Sequence, residues 1–475
     1  MLIENADIWG HDGRCLRIDG GTITAIGTLD PAEDEQVVDA GGGLLLPGLH
    51  DHHIHLAGLA ARKSSVWCGP PQIANEDDLR TTLAAAAGSG WIRGIGYHES
   101  VLGSLPDAQQ LDAFVSDRPL RVQHRSGRMW LMNSLAIEEL LSKANAPPGL
   151  ELQDGKPTGR LFDSDEWLRR TLASSPPDFA EVSRELAAYG VTGITDMTPQ
   201  NGPEMAEHFR VQIESGDLVQ NCTLAGWLDL ADAHPGPWML GPAKLHLHEA
   251  ALPDFDDTCT FIGSAHGQGR PVAIHCVSEV ELVFAIAAIE ASGSHPGDRI
   301  EHASIASPGL INRMAELSLS VCVQPHFVCE RGDAYLRDVE THQHPDLYRL
   351  RSFVNAGIAL GGGSDAPFAS PDPWQAMAAA VDRRTQGGKF ISESEALSPE
   401  EALETYLSDP ADLRLKRGLT AGNPADICLL TQPWSKLRGN IAVAKVVMTL
   451  ASGRVIHNGV DETPFKRSAR IQPLP

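Results

Sequence analysis

From about residue 180 onward, short apolar runs alternate with longer helix-like segments. The runs lie at 191–196, 221–227, 243–248, 271–276, 299–303, 319–324 and 358–365, and the clearest helical stretch between them is 279–291. Runs this short, bounded by Gly and Pro, fit buried strands better than helices. With a further run at 44–49 they make eight, and eight strands alternating with helices predict a (β/α)₈ barrel. The two ends of the chain read differently. Residues 8–10, 15–21, 22–27, 425–430 and 446–459 alternate apolar and polar side chains around Gly and Asp turns, which is hairpin chemistry. Two β-rich ends bracketing an α/β middle predict that 1–43 and 420–475 meet in one sheet domain. The barrel is then expected over 44–419. Residues 56–185 follow no regular alternation, with helices expected over 76–87 and 133–144 and a strand at 119–124. They read as an inserted lid or specificity subdomain after the first strand.

The candidate chemistry sits at the ends of these strands. The run at 44–49 leads into His50-Asp51-His52-His53-Ile54-His55. Side chains alternate along a strand, so His53 and His55 share a face and Ile54 points away. Two neutral imidazoles so placed can grip one divalent ion. Further along, Lys244 lies on the fourth strand, His275 ends the fifth, His302 the sixth and Asp365 the eighth. A lone strand-end histidine is usually structural, and Asp365 alone could be a helix N-cap before Pro367. What gives them weight is their shared position, because barrel enzymes place reacting groups at the C-terminal ends of strands.

Composition narrows the partners. The chain of 475 residues is 42% hydrophobic and 21% charged, with a formal net charge of −24. That charge argues against nucleic acid and anionic membrane. No apolar run approaches the roughly 20 residues needed to span a bilayer. The N-terminus carries acids rather than a basic segment before an apolar core, so a cytoplasmic protein with a small-molecule substrate is expected. The eight cysteines are scattered without a CxxC pair and read as reduced thiols, with Cys276 in a packing role.

Pro47-Gly48-Leu49-His50-Asp51-His52-His53-Ile54-His55, Ala243-Lys244-Leu245, His275, Arg299-Ile300-Glu301-His302-Ala303, Gln324-Pro325-His326, Gly363-Ser364-Asp365-Ala366-Pro367 and Gly422-Asn423-Pro424-Ala425-Asp426 together resemble the amidohydrolase superfamily. Within it they resemble the subgroup that includes N-substituted formamide deformylase. Trp91-Ile92-Arg93-Gly94-Ile95-Gly96 and Met132-Asn133-Ser134 resemble that subgroup's insertion. The resemblance implies a distorted barrel plus a composite β-sandwich from both termini. It implies one metal on His53, His55 and Asp365 and a second on His275 and His302, two zinc ions by default. A carboxylated Lys244 would bridge them, and Asp365 would act as general base and then acid. The implied reaction is hydrolysis of a small amide, N-formyl compound or cyclic amide or imide.

This chain departs from the subgroup where an Asp-Gly-His run is usual. It has Arg125-Ser126-Gly127-Arg128-Met129-Trp130 instead. Arg128 there is either a bidentate clamp for a substrate carboxylate or a surface residue. His248 replaces a common acidic residue and, four after Lys244, is a candidate for the site, as are Trp130 and His326. Glu279 reads as an ordinary first-turn helix acid, and His98 as a weaker pocket candidate. Two other readings stand beside the hydrolase. One is a mononuclear deaminase of a small heterocycle, against which Lys244 speaks. The other is a non-catalytic scaffold, against which the complete ligand set speaks. A homodimer is the base-rate expectation.

Overall fold

Pro47 and Gly48 divide the histidine-bearing segment between two sheets. A computed structural model describes residues 1–70, 72–172 and 176–459. In it Leu44–Pro47 pairs antiparallel with Ile427–Leu430, in a sheet built from both ends of the chain. Only after Gly48 does the chain enter the barrel, as strand β1, Leu49–Ile54. The expected first strand at 44–49 is therefore two strands, and the histidine cluster lies largely within the second. Gly48 has a steric reason: a Cβ there would lie 2.2 Å from Oγ1 of the buried Thr192.

The barrel strands follow in chain order: β2, Val191–Asp196; β3, Asn221–Gly226; β4, Trp238–His246; β5, Val272–Cys276; β6, Arg299–His302; β7, Ser320–Val323; β8, Leu360–Gly362. Each pairs parallel with its neighbour, and the sheet runs from β8 back to β1 in one unbroken order. The last gap is bridged beyond the end of β8, where Asp365 N donates to the His53 carbonyl (2.6 Å) and Ser364 N to Asp51 Oδ1 (2.9 Å). This is the expected distorted (β/α)₈ barrel.

The termini form two further sheets. Leu2–Glu4, Cys15–Asp19, Thr22–Gly27 and Val37–Asp39 make one of four strands. The other has five: Asp7–Ile8, Leu44–Pro47, Ile427–Leu430, Val446–Ala451 and Arg454–Asn458. Ile3, Leu16 and Ile18 from the first share a buried core with Leu45, Ile427, Leu429 and Leu450 from the second. Residues 460–475, included in the expected terminal domain, lie outside the described residues.

Residues 57–177 form a separate compact unit, and the other described residues form a second. The expected insertion ran from 56 to 185. The unit holds a six-stranded mixed sheet and contains the expected helices, as Glu76–Ala84 and Ser134–Lys143, and the expected strand, as Leu120–His124. Its other strands, such as Ile92–Tyr97 and Lys156–Phe162, had shown no clear alternation. Among the described residues, no helix is long and apolar enough to cross a membrane.

Candidate metal centre

Alternation along β1 and into the residue after it sorts the four histidines. His50 and His52 do not join the cluster at the barrel's C-terminal end. His50 Nε2 meets Thr195 Oγ1 at 2.9 Å, and His52 is buried against Gly361. His53 and His55 turn the other way, with ring centroids 5.3 Å apart. Their Nε2 atoms converge on one oxygen, Asp365 Oδ1, at 3.4 and 3.1 Å respectively. The approach depends on Gly363, where a Cβ would sit 2.5 Å from that of His53. Asp51 Oδ1 joins the two strand ends, accepting from the amides of both His53 (3.1 Å) and Ser364 (2.9 Å).

A second group gathers beside the first. His302 packs 5.0 Å from His53 and 4.5 Å from His275, measured between ring centroids. Lys244 is buried on β4, and its charge acts on His53, His275, His302, Glu301 and Asp365. His302 and Asp365 both have left-handed backbone, with φ of 72° and 52°. Such conformations are uncommon outside glycine and often gather at functional sites.

Most of the imidazoles are oriented by a second hydrogen bond. His53 Nδ1 lies 2.6 Å from Glu301 Oε2, His55 Nδ1 is 3.1 Å from Thr198 Oγ1, and His302 Nδ1 is 2.7 Å from Gln324 Oε1. Each of these contacts leaves Nε2 free to bind an ion. Glu301 is itself held by Arg299 Nε at 2.6 Å. His53, Glu301 and Cys322 also lie within ligand distance of one another. That grouping uses His53 Nδ1, and burial pushes the Cys322 thiol well above its usual range. It is therefore a support for His53 rather than a second binding set.

The electrostatics suit a cation. Burial lowers the pKa of His53, His275 and His302 well below the usual imidazole range, so these rings are neutral with lone pairs available. Burial alone would raise the Asp365 pKa. The hydrogen bond with His55, with the charge around the site, outweighs it and holds the carboxyl below its usual range. Burial also lowers the Lys244 ammonium pKa. Lys244 Nζ and His302 Nε2 are among the buried atoms that find no hydrogen-bond partner in the described residues. Buried polar atoms are seldom left so. Neutral imidazoles, one carboxylate and two orphaned buried nitrogens fit a divalent metal site.

The remaining sequence candidates are placed as follows. His326 is buried and donates from Nε2 to the Ser364 carbonyl (2.9 Å), bracing the turn that carries Asp365. His248 is exposed beyond the end of β4, at the start of the short helix Glu249–Ala251. Within the 57–177 unit, Trp130 is buried and donates from Nε1 to Asp165 (2.8 Å). Arg128 is 69% exposed in its side chain, and its fork is taken by Asp163 through Nε (2.8 Å) and Nη2 (2.7 Å). Cys276 is fully buried, and Glu279 opens the helix Glu279–Ser292. His98 hydrogen-bonds Ser100 Oγ at 2.8 Å. The residues not singled out beforehand are Glu301, Gln324, Thr198 and His246. His246 could have been found from alternation, since it lies two after Lys244 on the same strand face.

Comparison with known proteins identifies the family and the fold. The family profile described as "Amidohydrolase family" matches residues 36–457. An N-substituted formamide deformylase of Arthrobacter pascens is 26% identical, over 95% of this chain and 97% of its own. Two solved structures titled uncharacterised metal-dependent hydrolases share the fold. The one from Pyrococcus horikoshii has a TM-score of 0.77 at 20% identity, covering 96% of this chain and 99% of its own. The one from Pyrococcus furiosus has a TM-score of 0.74 at 21% identity, covering 91% and 98%. The family match spans the whole barrel, and the chain belongs to the amidohydrolase family.

Proposed function

We propose that this chain is a metal-dependent hydrolase of a non-peptide C–N bond, acting on a small amide, N-formyl compound or cyclic amide or imide. The observation that carries the reading is the convergence of His53 Nε2 and His55 Nε2 on Asp365 Oδ1, at 3.4 and 3.1 Å. One ion would be held there. A second would be held by His275 and His302, with Lys244 between the two as a carbamate. Zinc is the default for His-rich hydrolytic sites. Such ions supply Lewis acidity and bring a water's pKa down to about 7.

The protein's own groups do the rest. Asp365, held below the usual carboxyl range, is ionised at neutral pH and can accept the proton of the attacking water. It returns that proton to the leaving nitrogen, so the products are a carboxylate and an amine. Glu301, Thr198 and Gln324 fix the ring planes of His53, His55 and His302, so that no reorganisation is needed during attack. Burial favours the neutral amine of Lys244, the form that adds CO₂ with loss of one proton to give an anionic carbamate. The name of the Arthrobacter relative makes N-substituted formamides the first compounds to try.

The test is elemental mass spectrometry on native protein and on Lys244→Ala, followed by a hydrolysis screen of formamides, amides and cyclic imides. Two ions per chain, falling to one or none in the variant, are expected. One ion in both proteins would remove Lys244 from the site. Metal-free native protein, purified without chelators, would overturn the mechanism.

A further inference from the structure

His275 differs from the other candidate ligands. Neither of its ring nitrogens hydrogen-bonds another group among the described residues, whereas His53, His55 and His302 are each fixed through Nδ1. An imidazole without such an anchor has a broad, roughly two-fold torsion about its last bond, so its lone pair is poorly aimed. His246 supplies what is missing. It ends β4 on the same strand face as Lys244, and the register sets it directly opposite His275 on β5. The two rings lie 4.0 Å apart between centroids and 14° from parallel. On another side of His275, the His302 ring meets it nearly edge-on, at 73°. Between these two surfaces the plane of His275 is set by packing alone.

We propose that His246 is a positioning residue, whose ring holds His275 in the plane that directs its nitrogen toward the second metal ion. The inference rests on the two-metal reading given above. Its chemistry is stacking, so an aromatic ring of similar size does the same work and a methyl group does not. His248, two residues on and past the end of β4, has no ring contact with His275 among the described residues.

The experiment compares wild type, His246→Ala, His246→Phe and His275→Ala. Zn²⁺ affinities are measured by chelator competition and stoichiometry by elemental mass spectrometry, with thermal melts to check folding. His246→Ala should weaken by about tenfold the Zn²⁺ site that His275→Ala abolishes, as lost support around a ligating histidine does. His246→Phe should stay close to wild type, and His275→Ala should lose that ion. Two ions bound with wild-type affinity in His246→Ala overturn the inference while leaving the two-metal reading intact. A His246→Phe protein as weak as the alanine variant also overturns it, since the ring's nitrogens rather than its face would then be at work. A wild-type protein that takes up no Zn²⁺ sinks both.

Discussion

At the scale of single residues, Glu301 is the group on which the site most depends without touching the reacting atoms. It is fully buried, with one oxygen on His53 Nδ1 and the other on Arg299 Nε, each at 2.6 Å. Glu301→Gln keeps the shape but replaces one oxygen with an NH₂ group and removes the charge. The His53 and Arg299 contacts both need an acceptor, so one is lost or the ring takes the other tautomer. Metal affinity at the His53 site is expected to fall by about 10- to 100-fold, read by Zn²⁺ competition, with Arg128→Gln as an exposed control. An unchanged affinity would mean that the contact does not orient the ligand. Alternation could not have pointed to Glu301. Neighbours on a regular strand face opposite ways, so choosing His302 as a ligand excludes Glu301. The left-handed φ of 72° at His302 breaks that rule and lets both serve the site. His248 fails as a neighbour of Lys244 for a related reason: β4 stops at His246, so counting onward by twos no longer tracks a face.

At the scale of elements, strand order and the strand ends were legible because buried parallel strands are short apolar runs between helices. Pairing across long sequence distances was not. Leu44–Pro47 is as apolar as a barrel strand, and only its partner Ile427–Leu430 assigns it to the terminal sheet. The helix Pro399–Tyr406 illustrates how an element outside the site holds a strand within it. Its Tyr406 ring packs against Gly362 on β8, where a Cβ would come within 2.5 Å of the ring. Its start is fixed by Ser398 as N-cap, with Glu401 completing the capping box. The Arg351 guanidinium, then the Ser398 hydroxyl and amide, lower the Glu401 carboxyl to about 2 against burial. A folded pKa below the unfolded value of 4.5 contributes stability above that value. The contribution is lost as the pH falls from 4.5 toward 2. With solvent screening it is worth about 1–2 kcal/mol. Glu401→Gln should therefore be less stable than wild type in urea at pH 7, and the difference should shrink steadily below pH 4.5. A gap independent of pH would show that the charge is not what stabilises the helix start.

At the scale of the whole molecule, the candidate ligands join parts of the barrel that are far apart in sequence. His53 and His55 come from β1 and the turn after it, Lys244 from β4, His275 from β5, His302 from β6 and Asp365 from beyond β8. Between β8 and β1 the closure rests on a few contacts around Asp51, His53, Ser364 and Asp365. An ion on His53, His55 and Asp365 would thus bind across the seam of the barrel, and only in the folded state do those ligands meet. Binding to the native state alone adds roughly 4 kcal/mol when the free ion is a thousandfold above its dissociation constant. Removing the ions by dialysis against a chelator should accordingly lower the Tm by about 5 °C or more. Readdition of Zn²⁺ should restore it. Asp365→Asn, which weakens one ligand at the seam, should begin with a lower Tm and respond less to the chelator than wild type does. A chelator-treated wild type that melts where the untreated protein does would mean that the barrel closes without an ion, and that the convergence of His53 and His55 on Asp365 is maintained by the protein contacts alone.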